Sequence, residues 1–196
     1  MAWYDLDIKE DDSKNESKKE HTARVKYDKI LCEKAKSLNS IIGGGISENY
    51  QYRIITETGF NAITVIQYLY ELYDLQEIYI AVYRMNQRSV NKLIEIITNE
   101  NIKCRIILSS FFRENKRYEK WCEELISFSN KKSNVQISFA WSHAKVFLAK
   151  TSCGKNIVFE GSGNLSDNAR IEQYLIENNK TTYDFHSNWM DEILNS

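Results

Sequence analysis

A chain of 196 residues, 42% hydrophobic and 27% charged, has the make-up of a globular domain able to bury a core. Its formal net charge of -1 excludes a global positive field that would gather nucleic acid, though not a local basic patch. No apolar run approaches ~20 residues, which excludes a transmembrane helix, and the polar, acidic start MAWYDLDIKEDDSKNESKKE does not read as a secretory signal.

Residues 1–20, rich in Asp, Glu, Lys, Ser and Asn, are expected to form a flexible charged tail ahead of a single domain over 21–196. Residues 22–40 show weak helical periodicity, and Gly43, Gly44 and Gly45 mark a turn. The triple glycine lacks both phosphate-loop spacings, GxGxxG and GxxxxGK[ST].

The middle of the chain alternates. Residues 52–57 (YRIITE), 77–83 (EIYIAVY) and 103–110 (KCRIILSS) read as strands. Residues 59–74, 86–101 and 113–129 read as helices, the second capped by Asn86. This βαβαβα rhythm predicts an α/β sandwich with a mixed, largely parallel sheet flanked by helices. Residues 135–140, 143–150, 155–161 and 171–178 then form four strand-like runs with short turns, expected to add hairpins at one end of the sheet, before an amphipathic helix over 181–194.

Cys32, Cys104, Cys122 and Cys153 form no CxxC pair and match no zinc spacing. Free, mostly buried thiols in a reducing compartment are expected, and with them a soluble, cytoplasmic chain without membrane attachment.

The chemistry concentrates in residues 143–178. Along HAKVFLAK, strand alternation sends His143, Lys145, Phe147 and Ala149 to one face and Ala144, Val146 and Leu148 to the other. A histidine and a lysine side by side disfavour each other's charge unless both face a shared anion. Residues 160–164, EGSGN, place Ser162 and Asn164 in a turn at a strand end, where hydroxyl, amide and backbone N–H groups can meet phosphate oxygens. Glu172 heads the next strand; it reads either as a surface glutamate or as the group that fixes a histidine tautomer, with Glu177 as the alternative for that role.

This stretch resembles the phospholipase D superfamily, whose signature is HxK, a downstream Asp, then GSxN. His143, Lys145, Gly161, Ser162 and Asn164 fit it directly. Glu172 matches a glutamate that heads the strand after GSxN in the family's nuclease branch, and the resemblance covers residues 50–196. Lys150 stands where the family carries Asp, and the HxK-to-GSxN spacing is longer.

The resemblance implies a metal-independent phosphodiesterase with no cofactor, most readily a DNA endonuclease. The family mechanism uses two HxK sets and this chain has one. Chains with one set resemble the bacterial endonuclease branch, which builds its site across a homodimer axis. His143 would then act from both subunits, one attacking phosphorus and one protonating the leaving oxygen, with Lys145, Ser162 and Asn164 around the phosphoryl oxygens, Gly161 and Gly163 in the turn, and Glu172 as orienter. A lipid phosphodiester hydrolase or transferase, and a non-catalytic dimeric nucleic-acid-binding protein, are the competing readings.

Three arginines complete the candidate set. Arg84 follows a strand, where α/β sheets collect ligands. Arg113 and Arg117 lie among Phe111, Phe112, Tyr118 and Trp121, a mixture that suits either a nucleic-acid grip or a solvated helix face with a buried aromatic side. His21 and His186 match no motif and read as ordinary residues.

Overall fold

The computed structural model describes residues 29–34, 38, 42–56, 60–167 and 170–196. The expected tail and His21 lie outside the described residues. In chain order the elements are β1 (Lys29–Lys34), β2 (Tyr50–Thr56), α1 (Ile63–Leu72), β3 (Leu75–Val82), α2 (Gln87–Ile97), β4 (Lys103–Ser109), α3 (Ser110–Glu114), α4 (Glu119–Ser129), β5 (Val135–Ala140), β6 (Val146–Thr151), β7 (Asn156–Gly161), β8 (Glu172–Asn178) and α5 (Lys180–Leu194). Where helical tendency was read over residues 22–40, Lys29–Lys34 form β1 and Leu38 is helical, the other residues of that span lying outside the described residues.

Eight strands form one sheet in the order β1-β2-β8-β7-β6-β3-β4-β5. β1 with β2, β3 with β4 and β4 with β5 are parallel; the four pairs between them, from β2 to β3, are antiparallel. The α/β class and mixed sheet stand, but the parallel pairs are confined to the flanks. The run 135–140 is not part of a hairpin: β5 extends the parallel βαβ series. The hairpin strands β6, β7 and β8 do not extend one end of the sheet but fill its middle. That placement follows from burial. β6 is Val146, Phe147, Leu148 and Ala149 in succession, apolar on both faces, which suits a strand covered on both sides.

One face of the sheet carries the larger core, against α1, α2 and α4; the other packs under α5. The predicted alternation holds: Phe147 and Ala149 enter the first core, Val146 and Leu148 the second. Burying a side chain the size of Val, Leu or Phe contributes about 1.5–3 kcal/mol. Asn86 caps α2, its side chain accepting from Ser89 N–H at 2.9 Å. α5 is capped likewise by Asn179 and buries Tyr183, His186, Met190 and Leu194 at helical spacing. The helix expected over 113–129 is broken. Asn115 accepts from Arg117 N–H at 3.0 Å, a local turn that ends α3 and delays α4 to Glu119.

Register brings the functional ends together. Ala81 pairs with Val146, Val146 with Glu160, Gly161 with Tyr174, and Thr56 with Glu172. The starts of β6 and β8 therefore share one sheet edge with the ends of β2, β3, β4, β5 and β7.

Candidate active site

β5 and β6 are separated in the sheet by β4 and β3, so residues 141–145 cross about 14 Å over the ends of those two strands. This crossing sets His143 above the end of β3. Its ring lies 4.2 Å from that of Tyr83, centroid to centroid, tilted by 32°. Tyr83 stacks in turn on Phe111, from the end of β4, at 4.9 Å and 9°. His143 is exposed on its outer side. The strand expected from residue 143 begins only at Val146; His143 and Lys145 sit on its extended approach.

The Lys145 ammonium donates to the His143 carbonyl at 2.7 Å and lies 5.9 Å from the Tyr83 ring centroid. Burial holds it below the ordinary lysine range; the Glu172 carboxylate pulls the other way and the Arg84 guanidinium adds to the lowering. The charges of Lys145, Glu172 and Arg84 thus act on one another at this end of the sheet. Arg84 Nη1 donates to the Tyr118 hydroxyl at 2.9 Å, while its Nε is buried without a hydrogen-bond partner among the described residues. Arg117 lies 5.7 Å from the Tyr118 ring and Arg113 4.8 Å from the Phe139 ring, and both are exposed. Aromatics point inward and cations outward on the flank beside His143, the arrangement of a solvated face with a buried aromatic side.

The GSGN turn leaves β7 at the same edge. Gly161 is required by packing, since a Cβ there would lie 2.4 Å from both the Gln173 carbonyl oxygen and the Tyr174 ring. Ser162 Oγ donates to the Glu172 carboxylate and accepts from Gln173 N–H at 3.0 Å. The hydroxyl expected to face phosphate is therefore engaged by β8, and the Glu172 carboxylate meets Ser162 instead of the His143 ring. Both departures follow from the β7–β8 register, which sets Ser162 opposite Gln173 and so beside Glu172. Gly163 is buried, and Asn164 Oδ1 is buried with no partner among the described residues.

Residues missed in the sequence hold this turn. Leu165 bridges to Met85, its carbonyl accepting from Asn86 N–H at 3.1 Å. Asp167 accepts from Asn86 at 3.1 Å and from Asn61 at 3.3 Å. Nothing in their spacing distinguishes these Asx residues from ordinary turn and cap positions.

A groove of about 960 Å³ opens beside His143 and Lys145, its floor formed by Glu160, Gly161, Gln173, Leu175, Arg53 and Ile55. Glu160 pairs with His186 Nε2 at 3.2 Å, and the Trp189 indole donates to His186 Nδ1 at 3.1 Å. His186 is 8% exposed and serves to seat α5 on the sheet, as its unmatched sequence context suggested. No group of three His, Cys, Asp or Glu among the described residues is placed to hold a metal ion.

No protein-family model matches the chain, and no curated protein matches it. Solved structures do. A phospholipase D family member, Nuc from Salmonella typhimurium, is similar at a TM-score of 0.53 and 13% identity, over 68% of this chain and 87% of its own. NucT from Helicobacter pylori gives 0.52 and 19%, over 74% of this chain and 97% of its own. The chain has the phospholipase D fold. Polyphosphate kinase from Porphyromonas gingivalis is similar over 82% of this chain but 27% of the kinase, with a TM-score of 0.55 and 17% identity.

On this fold the departure at Lys150 is far from the site. Lys150 pairs with Asn156 and Glu77 at the opposite end of β6, about 13–16 Å along the strand from the His143 approach. Glu177 is equally remote. It is fully buried at the far end of β8, where Gln51 donates to it at 3.0 Å, so it cannot replace Glu172. Among the cysteines, Cys104 and Cys122 are buried and Cys153 is exposed, all as free thiols. No helix among the described residues is long and apolar enough to cross a membrane.

Proposed function

We propose that this chain is a metal-independent phosphodiesterase that cuts DNA as a homodimer, with His143 of both subunits facing one phosphodiester. The observation that carries this reading is an exposed His143 held on Tyr83, with Lys145 hydrogen-bonded through its carbonyl to Gly161 of the GSGN turn, on the phospholipase D fold.

In the proposed reaction the neutral His143 of one subunit attacks phosphorus. A P–N bond forms, the P–O bond to the leaving group breaks, and the protonated His143 of the partner subunit gives its proton to the leaving oxygen. That second imidazole, now neutral, takes a proton from water; the hydroxide attacks phosphorus, the P–N bond breaks, and the phosphate product leaves. Lys145 and Arg84 offset the charge on the phosphoryl oxygens, and Asn164 and the turn's N–H groups add hydrogen bonds. Glu172 positions Ser162 and balances Lys145. The sheet face over β2 and β8, outside the reach of α5, carries Ile55 at 43% exposure, with Ile171 at 71% just before β8. A second copy of the chain would cover both.

The same exposed residues favour a second reading, an apolar phosphodiester such as a phospholipid. The arginines on the opposite flank weigh toward nucleic acid. Incubating the protein with supercoiled and single-stranded DNA in excess EDTA tests the choice. Cutting that persists in EDTA and is lost in His143→Ala supports the nuclease; no cutting by a verified dimer, with turnover of phospholipid vesicles, supports the lipid enzyme.

A further inference from the structure

Trp141 is the most exposed large hydrophobic side chain among the described residues, at 77%. It sits two residues before His143, so their Cα atoms are at most about 7 Å apart. It stands at the β5 start of the crossing that carries His143 over Tyr83, on the sheet flank away from Ile55 and Ile171. A contact between subunits over β2 and β8 leaves it open.

The flank beside Trp141 carries more positive than negative charge. Residues 113–120 carry Arg113, Lys116, Arg117 and Lys120 against Glu114 and Glu119, an excess of cations in a chain whose net charge is -1. Arg113 is fixed over Phe139, two residues before Trp141, and Arg117 over Tyr118. Tyr83 is unavailable to a ligand, because His143 and Phe111 occupy its two faces. Trp141 is the free aromatic surface next to the reacting histidine.

Resting on the nuclease reading, we propose that Trp141 is a stacking platform for an unpaired nucleobase adjoining the scissile phosphodiester, and that Arg113 and Arg117 hold the strand beyond it. Two pieces of physical chemistry favour this occupant. An indole exposed to water gains by covering its face with a flat, polarisable ring, and every nucleobase offers one. The bases of a duplex are stacked on one another and do not offer that face, so the platform selects single-stranded nucleic acid over double-stranded.

The test measures binding by the full-length His143→Ala protein, which does not turn over its ligand under the nuclease reading. The probes are a twelve-nucleotide oligothymidylate, an abasic strand of the same length, and a duplex of the same length. The abasic strand has the phosphates without the bases. Oligothymidylate is expected to bind about tenfold more tightly than the abasic strand, and more tightly than the duplex, with quenching of tryptophan emission. Adding Trp141→Ala is expected to remove the base-dependent advantage and the quenching while leaving abasic binding and the dimer, followed by ultracentrifugation, unchanged. Trp141→Phe should restore part of the advantage, and its exposed position makes it safe for folding. An unchanged ratio of oligothymidylate to abasic binding in Trp141→Ala overturns the platform but leaves the nuclease reading intact. So does an equal loss for both strands with dissociation of the dimer, which would make Trp141 an interface residue. Failure of the parent to bind any of the three probes rejects the nucleic-acid reading itself.

Discussion

The Tyr83 ring packs against the His143 ring at 4.2 Å, with Phe111 stacked behind it. A histidine that is exposed on one side is thereby held on the other by two aromatic rings from the ends of neighbouring strands. Such support fixes the direction of the imidazole lone pair, and small misplacements of a reacting group are costly in rate. Tyr83→Leu is expected to lower turnover by about tenfold or more, with little change in substrate affinity. Tyr83→Phe, which keeps the ring, should retain most of it. The His143 ring-proton resonances report the contact independently: they should shift in Tyr83→Leu and hold in Tyr83→Phe.

Gly161 has a packing task separable from chemistry. A methyl group there would drive into the β8 backbone and the Tyr174 ring. Gly161→Ala should cost about 2 kcal/mol of stability, read from the denaturant midpoint. An unchanged midpoint would mean that β7 and β8 part more easily than their register suggests.

Lys145 predicts a specific alkaline behaviour. Its folded-state value lies below 10.5 because burial disfavours the ammonium. Between that value and 10.5 the unfolded chain binds a proton that the folded chain does not, so stability rises with pH across the window. Below the folded value the penalty is present in full and constant. Urea titrations of the parent and Lys145→Met should therefore differ by an amount that moves in the parent's favour as pH climbs toward 10.5. A difference independent of pH would contradict the shift.

Much of this molecule was legible in its sequence because periodicity is a local property. The alternation through residues 146–149, the Asn86 cap, the amphipathic last helix and the strand headed by Glu172 all depend on near neighbours along the chain. Sheet order does not. Nothing local told β6, β7 and β8 to enter the middle of the sheet; that followed from burying β6 on both faces. The motif residues His143, Lys145 and Ser162 were found by spacing. Their supports were not, because Tyr83 meets His143 from the end of another strand and Asn61 reaches Asp167, beyond the GSGN turn, across 106 residues of chain. The hydrogen bond from Ser162 to Glu172 was likewise invisible until the β7–β8 register set Ser162 opposite Gln173, next to Glu172.

The central claim is that His143 forms a bond to phosphorus. It is tested most directly by quenching a single-turnover reaction with an end-labelled DNA substrate in alkali, in the presence of EDTA, and mapping the protein-bound label by peptide mass spectrometry. The account predicts an alkali-stable, acid-labile adduct on the peptide containing His143, lost in His143→Ala. Substrate cut at the parent rate with no adduct on that peptide, or with undiminished cutting by His143→Ala, would contradict it.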